Sequence, residues 1–288
     1  MLGQNATIPP DPEVCRVVVE ALEKFGNPSG LYRAGKEARR VLENARRSVA
    51  LLINCTARRL IFTGGGSEAN NLAVKGAAFC AGERRHIVTS AIEHPSVLKA
   101  CRWLAGKGFE VTTLMPDQEG LIRPEEMKKA VTDRTGLVTV MLANNETGAI
   151  QPVAELAEIA ASRGALFHTD AVQAAGKIPL DVDDLGVDLL TLSGHKFHGP
   201  KGVGVLYRRK GVILEPMIHG GGQEMGLRSG TENVPAIAAI GRAAELAFEH
   251  LPGMQEVRRL RDLLEREMRR IIPVAWRNGP DEERLPNT

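Results

Sequence analysis

A lysine at the carboxyl end of a buried strand is the strongest chemical feature of this sequence. The stretch Asp188–Gly204 reads DLLTLSGHKFHGPKGVG. Leu189–Leu192 is long enough for one buried strand, and it ends in Ser193-Gly194 before His195 and Lys196 appear. Gly199, Pro200 and Gly202 then force a sharp turn. In open α/β sheets ligands collect at the carboxyl ends of the strands. An ammonium drawn partly out of water there is disfavoured, which makes Lys196 a usable amine nucleophile toward a carbonyl. A solvated loop lysine is the plainer alternative.

Other polar residues fall just past strand ends. Gly64-Gly65-Gly66-Ser67 opens a helix whose backbone amides, with the Ser67 hydroxyl, could hold a phosphate; a simple helix cap competes. His94, in the run Ala91–Pro95, could stack on a flat ring or move a proton, or be an ordinary loop histidine. Asn144-Asn145-Glu146-Thr147-Gly148 could bond a ring oxygen or a carboxylate, or be an Asn/Gly turn. Asp170 ends another strand, with Gln173 three residues on; its carboxylate could pair with a protonated pyridine nitrogen, or cap a helix. Together these are the parts of a pyridoxal-phosphate site: an amine, a pyridinium partner, a ring-stacking imidazole, ring-oxygen donors and a phosphate cradle.

The elements that must position them follow a βα rhythm. Strands are predicted at residues 60–62, 86–89, 110–114, 137–142, 165–169, 189–192 and 204–207. Helices are predicted from Pro12 to Phe25, Gly35 to Ile53, the Gly-rich turn to Cys80, and Pro95 to Leu104. Four more follow at 124–130, 152–163, 235–250 and 255–272, and 273–276 is read as the possible start of a further strand. Such alternation implies an α/β fold, a mostly parallel seven-stranded sheet with helices on both faces. Residues 1–15 read as an N-terminal arm, 16–250 as a large cofactor-binding domain, and 251–288 as the start of a second, smaller α+β domain.

Bulk composition narrows the function classes. The chain has 288 residues, 43% hydrophobic and 25% charged, with a formal net charge of +2. That balance argues against a nucleic-acid or membrane surface. Cys15, Cys55, Cys80 and Cys101 form no CxxC pair and no zinc spacing, and read as free, mostly buried thiols of a reducing compartment; no metal site is expected. The first residues carry no signal-peptide pattern and no apolar run approaches membrane-spanning length, so a cytoplasmic enzyme is the default.

The motifs GGGSEANNLAVKG, AIEHPSVL, NNETGAIQPV, HTDAVQAAGKIPLDV, SGHKFHGPKGVG and LRSGTENVPAIA occur in order along nearly the whole chain. They resemble those of the cysteine desulfurases, pyridoxal-phosphate enzymes of aminotransferase class V and fold type I. Their NNETG and SGHKFHGPKG forms are similar to the branch serving general and nitrogenase iron–sulfur assembly. The resemblance implies that Lys196 bonds the cofactor and moves protons at the substrate α-carbon. It implies that Asp170 pairs with the pyridine nitrogen and that His94 stacks on the ring and helps with proton transfer. Gln173 would bond the ring oxygen, with Asn145 near that oxygen and the substrate carboxylate. Gly66, Ser67, Ser193 and His195 would hold the phosphate. Thr231 would reach the partner subunit's cofactor, which implies a homodimer. The implied reaction takes L-cysteine to L-alanine, leaving sulfur as a persulfide that passes to a scaffold protein for iron–sulfur cluster assembly.

This sequence also departs from the family pattern. Only Asn5-Ala6-Thr7 remain of an opening Asp-Asn-x-Ala-Thr-Thr type motif, with Ile8 replacing the second Thr, so an altered or shortened arm is expected. Ser67 stands where Thr is common, and Tyr32 where His is frequent. The family's sulfur-accepting cysteine and carboxylate-clamping arginine lie beyond its LPNT segment, here residues 285–288, and none of the four cysteines matches that motif. The chain thus resembles a C-terminally truncated desulfurase, expected to bind the cofactor but to turn over cysteine poorly. The alternatives are another fold-type I lyase or aminotransferase, and a non-catalytic protein that keeps the fold to bind or dimerise.

Overall fold

The structure, a computed structural model, describes residues 5–288. Its strands are β1 (Leu60–Thr63), β2 (His86–Ser90), β3 (Glu110–Leu114), β4 (Thr135–Thr139), β5 (Leu166–Asp170), β6 (Leu189–Ser193) and β7 (Gly204–Arg208). They form one sheet in the order β1-β7-β6-β5-β4-β2-β3. Strand β7 runs antiparallel to both neighbours, and the pairs among β2 to β6 are parallel. The six strands other than β7 therefore share one direction, and their carboxyl ends share one edge.

Each strand divides its side chains between two cores, as the period-2 pleat requires. Phe62, Val88, Val138, Leu190 and Val205 belong to one buried cluster; Ile61, Ile87, Leu137, Leu189 and Leu206 belong to the other. The first cluster is covered by α2 (Arg33–Leu52), α6 (Val153–Ser162) and α7 (Val234–His250), and the second by α3 (Gly66–Cys80) and α4 (Pro95–Ala105). Burial on both faces explains why the strands read as short continuous apolar runs rather than alternating ones.

The remaining helices are α1 (Pro12–Leu22), α5 (Pro124–Ala130) and α8 (Met254–Ile271). Helix α1 starts where Asp11 accepts the Glu13 amide at 2.8 Å, and it stops short of Phe25. Strand β4 lies earlier than the apolar run at 137–142 suggests. The ladder bends beyond Thr139, but its hydrogen bonds continue, Val140 to the His168 carbonyl at 3.1 Å and Leu142 to the Asp170 carbonyl at 2.9 Å. Residues 273–276 form no strand: they turn, and Trp276 stays 87% exposed. The thiols are less buried than composition implied, with Cys15 and Cys80 exposed and only Cys101 buried.

Strand β1 is an edge strand, and a buried ion pair covers its open side. Arg46 on α2 makes a two-pronged contact with Glu224, at 2.6 and 2.8 Å. Arg46 also donates to the Leu60 carbonyl at 2.8 Å, while Glu224 accepts the Phe62 amide at 2.8 Å. Two edge groups that would otherwise template another strand, the Leu60 carbonyl and the Phe62 amide, are thus satisfied. Glu224 holds a left-handed φ of 47° to make this contact. Glu224→Ala is expected to lower unfolding free energy by about 3–5 kcal/mol in denaturant titrations, because it strands a buried guanidinium.

Candidate active site

A cavity of about 990 Å³ opens at the carboxyl edge of the sheet. Residues from β5, β6, α3, α4, the turn after β4 and the N-terminal arm line it. Gly204 begins β7 at this edge, opposite both Thr63 and Ser193. A Cβ there would sit 2.4 Å from the Gly65 carbonyl carbon, so glycine is what lets the α3 loop lie against the strand.

Lys196 occupies a single helical turn after β6. The Gly199 amide donates to the Gly194 carbonyl at 2.9 Å, closing the turn, and a Cβ at Gly199 would meet that oxygen at 2.7 Å. The Lys196 ammonium donates to the carbonyls of Asn5, at 2.5 Å, and Ala6, at 2.7 Å. Burial lowers its pKa, and Asp170 opposes the shift. The amine is therefore easier to deprotonate than a surface lysine.

Asp170 ends β5 and is only 4% exposed. One oxygen accepts the Val172 amide at 3.0 Å, and the other accepts the Asn70 side-chain amide at 2.7 Å. Burial raises its pKa against these bonds and the nearby His94 and Lys196. Sequence reasoning did not find Asn70. The available signal was an Asn on the face of α3 that buries Ala69 and Ala73: a buried amide needs a partner.

His94 caps α4, with Nδ1 accepting the Ser96 amide at 3.1 Å. In the neutral ring the proton then sits on Nε2. The loop is anchored by the adjacent Glu93, whose carboxyl accepts from the Ser90 hydroxyl and, at 2.7 Å, from the Met141 amide. Burial pushes the Glu93 carboxyl up to about 8 from 4.5. The folded protein therefore binds an extra proton across that window, and stability falls as pH rises through it. Glu93→Gln mimics the protonated form and is expected to flatten the melting temperature's decline between about pH 5 and 8, where each unit costs up to about 1.4 kcal/mol.

The α3 amino terminus faces the cavity without any side-chain cap, and Gly65 there has φ 150°. Its free amides and the Ser67 hydroxyl form an anion-binding end. A Cβ at Gly66 would meet Ser193 Cβ at 3.2 Å, so Gly66 lets the Ser193 hydroxyl join the same corner. His195 and Lys201 line it too. Asn144 takes the turn role, accepting the Glu146 and Thr147 amides at 2.9 Å each, and leaves Asn145 on the cavity wall.

Gln173 accepts from Lys177 at 2.8 Å and donates to the Asn5 carbonyl at 2.8 Å. Asn5-Ala6-Thr7 thus close one side of the site, and the arm is tied further by the Ile8 amide on the His195 carbonyl at 3.1 Å. No composition or period marks these carbonyls. Of the residues given site roles by the resemblance, Thr231 alone lies outside the cavity, on an exposed loop; of the Asn144–Gly148 run only Asn145 reaches it. None of the four cysteines lines it.

The residues fit pyridoxal phosphate. Asp170 is a buried carboxylate held by amides and suited to a cationic ring nitrogen. The uncapped helix end is suited to a phosphate, and the amine opens into the same cavity. Among the described residues no three His, Cys, Asp or Glu are grouped to hold a metal, and no helix is long and apolar enough to cross a membrane.

The chain belongs to the class-V aminotransferase family, whose model matches residues 2–284. Within that family its place is with the cysteine desulfurases. It is 47% identical over 289 residues to Cysteine desulfurase IscS of Dictyoglomus turgidum, covering 99% of this chain and 73% of that protein. A solved NifS-like protein superposes with a TM-score of 0.94 at 41% identity, covering 98% of this chain and 78% of its own. A structure described as SspA in complex with cysteine matches at TM-score 0.82 and 41% identity, over 84% of this chain and 71% of that one.

Proposed function

We propose that this protein binds pyridoxal 5'-phosphate on Lys196 and takes L-cysteine as its substrate in the cysteine desulfurase reaction, in which a cysteine thiol accepts the sulfur as a persulfide for iron–sulfur cluster assembly and L-alanine is released. None of the four cysteines lines the cavity, so these residues by themselves are expected to turn over cysteine poorly. The observation that carries this reading is the meeting of Lys196, Asp170 and the uncapped α3 end in one cavity. When bound, the cofactor supplies an aldehyde that takes up amines and a cationic ring that accepts electrons from the substrate α-carbon.

The chain's own residues do the rest. Lys196 would hold the cofactor through its aldehyde and would move the proton at the substrate α-carbon. Asp170 keeps the ring nitrogen protonated, and Asn70 keeps Asp170 aimed. His94, on the cavity wall, would stack on the ring and help with proton transfer. Gln173 and Asn145 orient the ring oxygen and the substrate carboxylate. Gly66, Ser67, Ser193 and His195 take the phosphate. Thr231, exposed on its loop, is assigned to the phosphate of a partner subunit in a homodimer. Residues 16–250 are assigned to the cofactor domain and 251–288 to a second, smaller one. The four unpaired thiols support a reducing cytoplasmic setting.

The test is the visible absorption spectrum of the purified chain with pyridoxal phosphate, before and after L-cysteine. A protein-bound band that changes with cysteine is expected. A band that answers other amino acids and ignores cysteine would assign the site to another substrate.

A further inference from the structure

Lys177 is a buried lysine that the proposed chemistry does not use. It lies in the turn after β5 and is 6% exposed. Among the described residues, its ammonium has one side-chain acceptor within hydrogen-bond distance, Gln173 Oε1 at 2.8 Å. Burial, reinforced by the charge of Lys196, pushes its pKa down to about 8. Placing an ammonium there is costly, and a single amide contact is poor compensation. An apolar side chain would serve packing better.

The contact has a directional consequence. The oxygen and nitrogen of a glutamine amide are nearly interchangeable in shape, so a local partner must choose between them. An ammonium only donates, and it therefore holds Oε1 toward Lys177 and Nε2 toward the cavity. The Asn5 carbonyl, on the other side, agrees with this orientation but is shared with the Lys196 ammonium. Lys177 is the partner that Gln173 does not share with the reacting amine.

We infer that Lys177 is a positioning residue: its bond to Oε1 locks the Gln173 amide with its N–H toward the cofactor's ring oxygen. This rests on the pyridoxal-phosphate reading above. A flipped amide would present an oxygen to an anionic oxygen and reverse the sign of the contact.

The readout is the pH midpoint of the visible band of the full chain loaded with pyridoxal phosphate. A donor to the ring oxygen favours the deprotonated chromophore. Lys177→Met is expected to raise the midpoint by about one pH unit, the size of one hydrogen bond to a charged group. Gln173→Ala is expected to raise it as well, and adding Lys177→Met to Gln173→Ala is expected to change nothing further. A direct effect of the Lys177 charge would persist in the double variant, and so would a purely structural role; either result overturns the inference. If Lys177→Met does not fold, Lys177→Gln carries the test. Its amide can accept as well as donate, so the lock loosens and the midpoint rises by less. An unmoved midpoint in either folded variant overturns the inference while leaving the cofactor reading intact. Absence of any Lys196-dependent band in the unaltered protein would overturn both.

Discussion

Replacing Lys196 by alanine is expected to abolish the visible band formed with pyridoxal phosphate and to slow α-proton exchange by at least about 10⁴-fold. Two further lysines are near. Lys201 lines the cavity but is exposed, and Lys177 is turned toward Gln173. Lys196 is the one whose pKa is lowered by burial and countered by Asp170. Unlike Lys177, whose pKa burial also lowers, it lines the cavity. Exchange of the α-proton of L-alanine or L-cysteine in heavy water, followed by NMR, tests proton movement separately from sulfur transfer. Lys201→Ala is the control and should leave the band in place. A band that survives in Lys196→Ala and disappears in Lys201→Ala would move the attachment point.

Asp170→Asn is expected to keep cofactor binding but slow the same exchange by about 10²- to 10³-fold. The substitution preserves shape and removes the charge. The Asn70 amide is within 2.7 Å of the carboxylate, so the asparagine would present its oxygen there. The cationic ring would then lose its counter-charge in a buried setting, where an oriented charge contributes more than in water. The band should still form, because Lys196 and the α3 end are untouched. Loss of the band in a folded Asp170→Asn would mean that the carboxylate is needed for binding rather than for electron withdrawal. Unchanged exchange would remove Asp170 from the mechanism.

Much of this site could be read in one dimension because its parts stand directly after strands. Lys196, Asp170, His94 and the glycine turn each follow an apolar run, and a parallel sheet brings the ends of such runs to one edge. The competing local readings hold in part. Asp170 does accept a nearby amide, His94 does cap a helix, and Asn144 does make the turn. For Asp170 and His94 the local bond and the place in the cavity coexist, since the local bond is what aims the residue, whereas Asn144 makes the turn and leaves Asn145 on the wall.

The sequence by itself determined the strand and helix rhythm, the lysine and its neighbours, and the two-faced burial of the sheet. Those follow from period, apolar runs and turn residues, which act over a few positions. Only the tertiary structure decided the partners that lie far apart in the chain. Asn70 reaches Asp170 across 100 residues, and Lys196 reaches the Asn5 carbonyl across 191. Arg46 finds Glu224 across 178, sealing a strand edge that belongs to neither residue's own segment. Buried polar groups must find partners somewhere. Which partner is near is set by the order of strands in the sheet, and strand order leaves no local trace in the sequence.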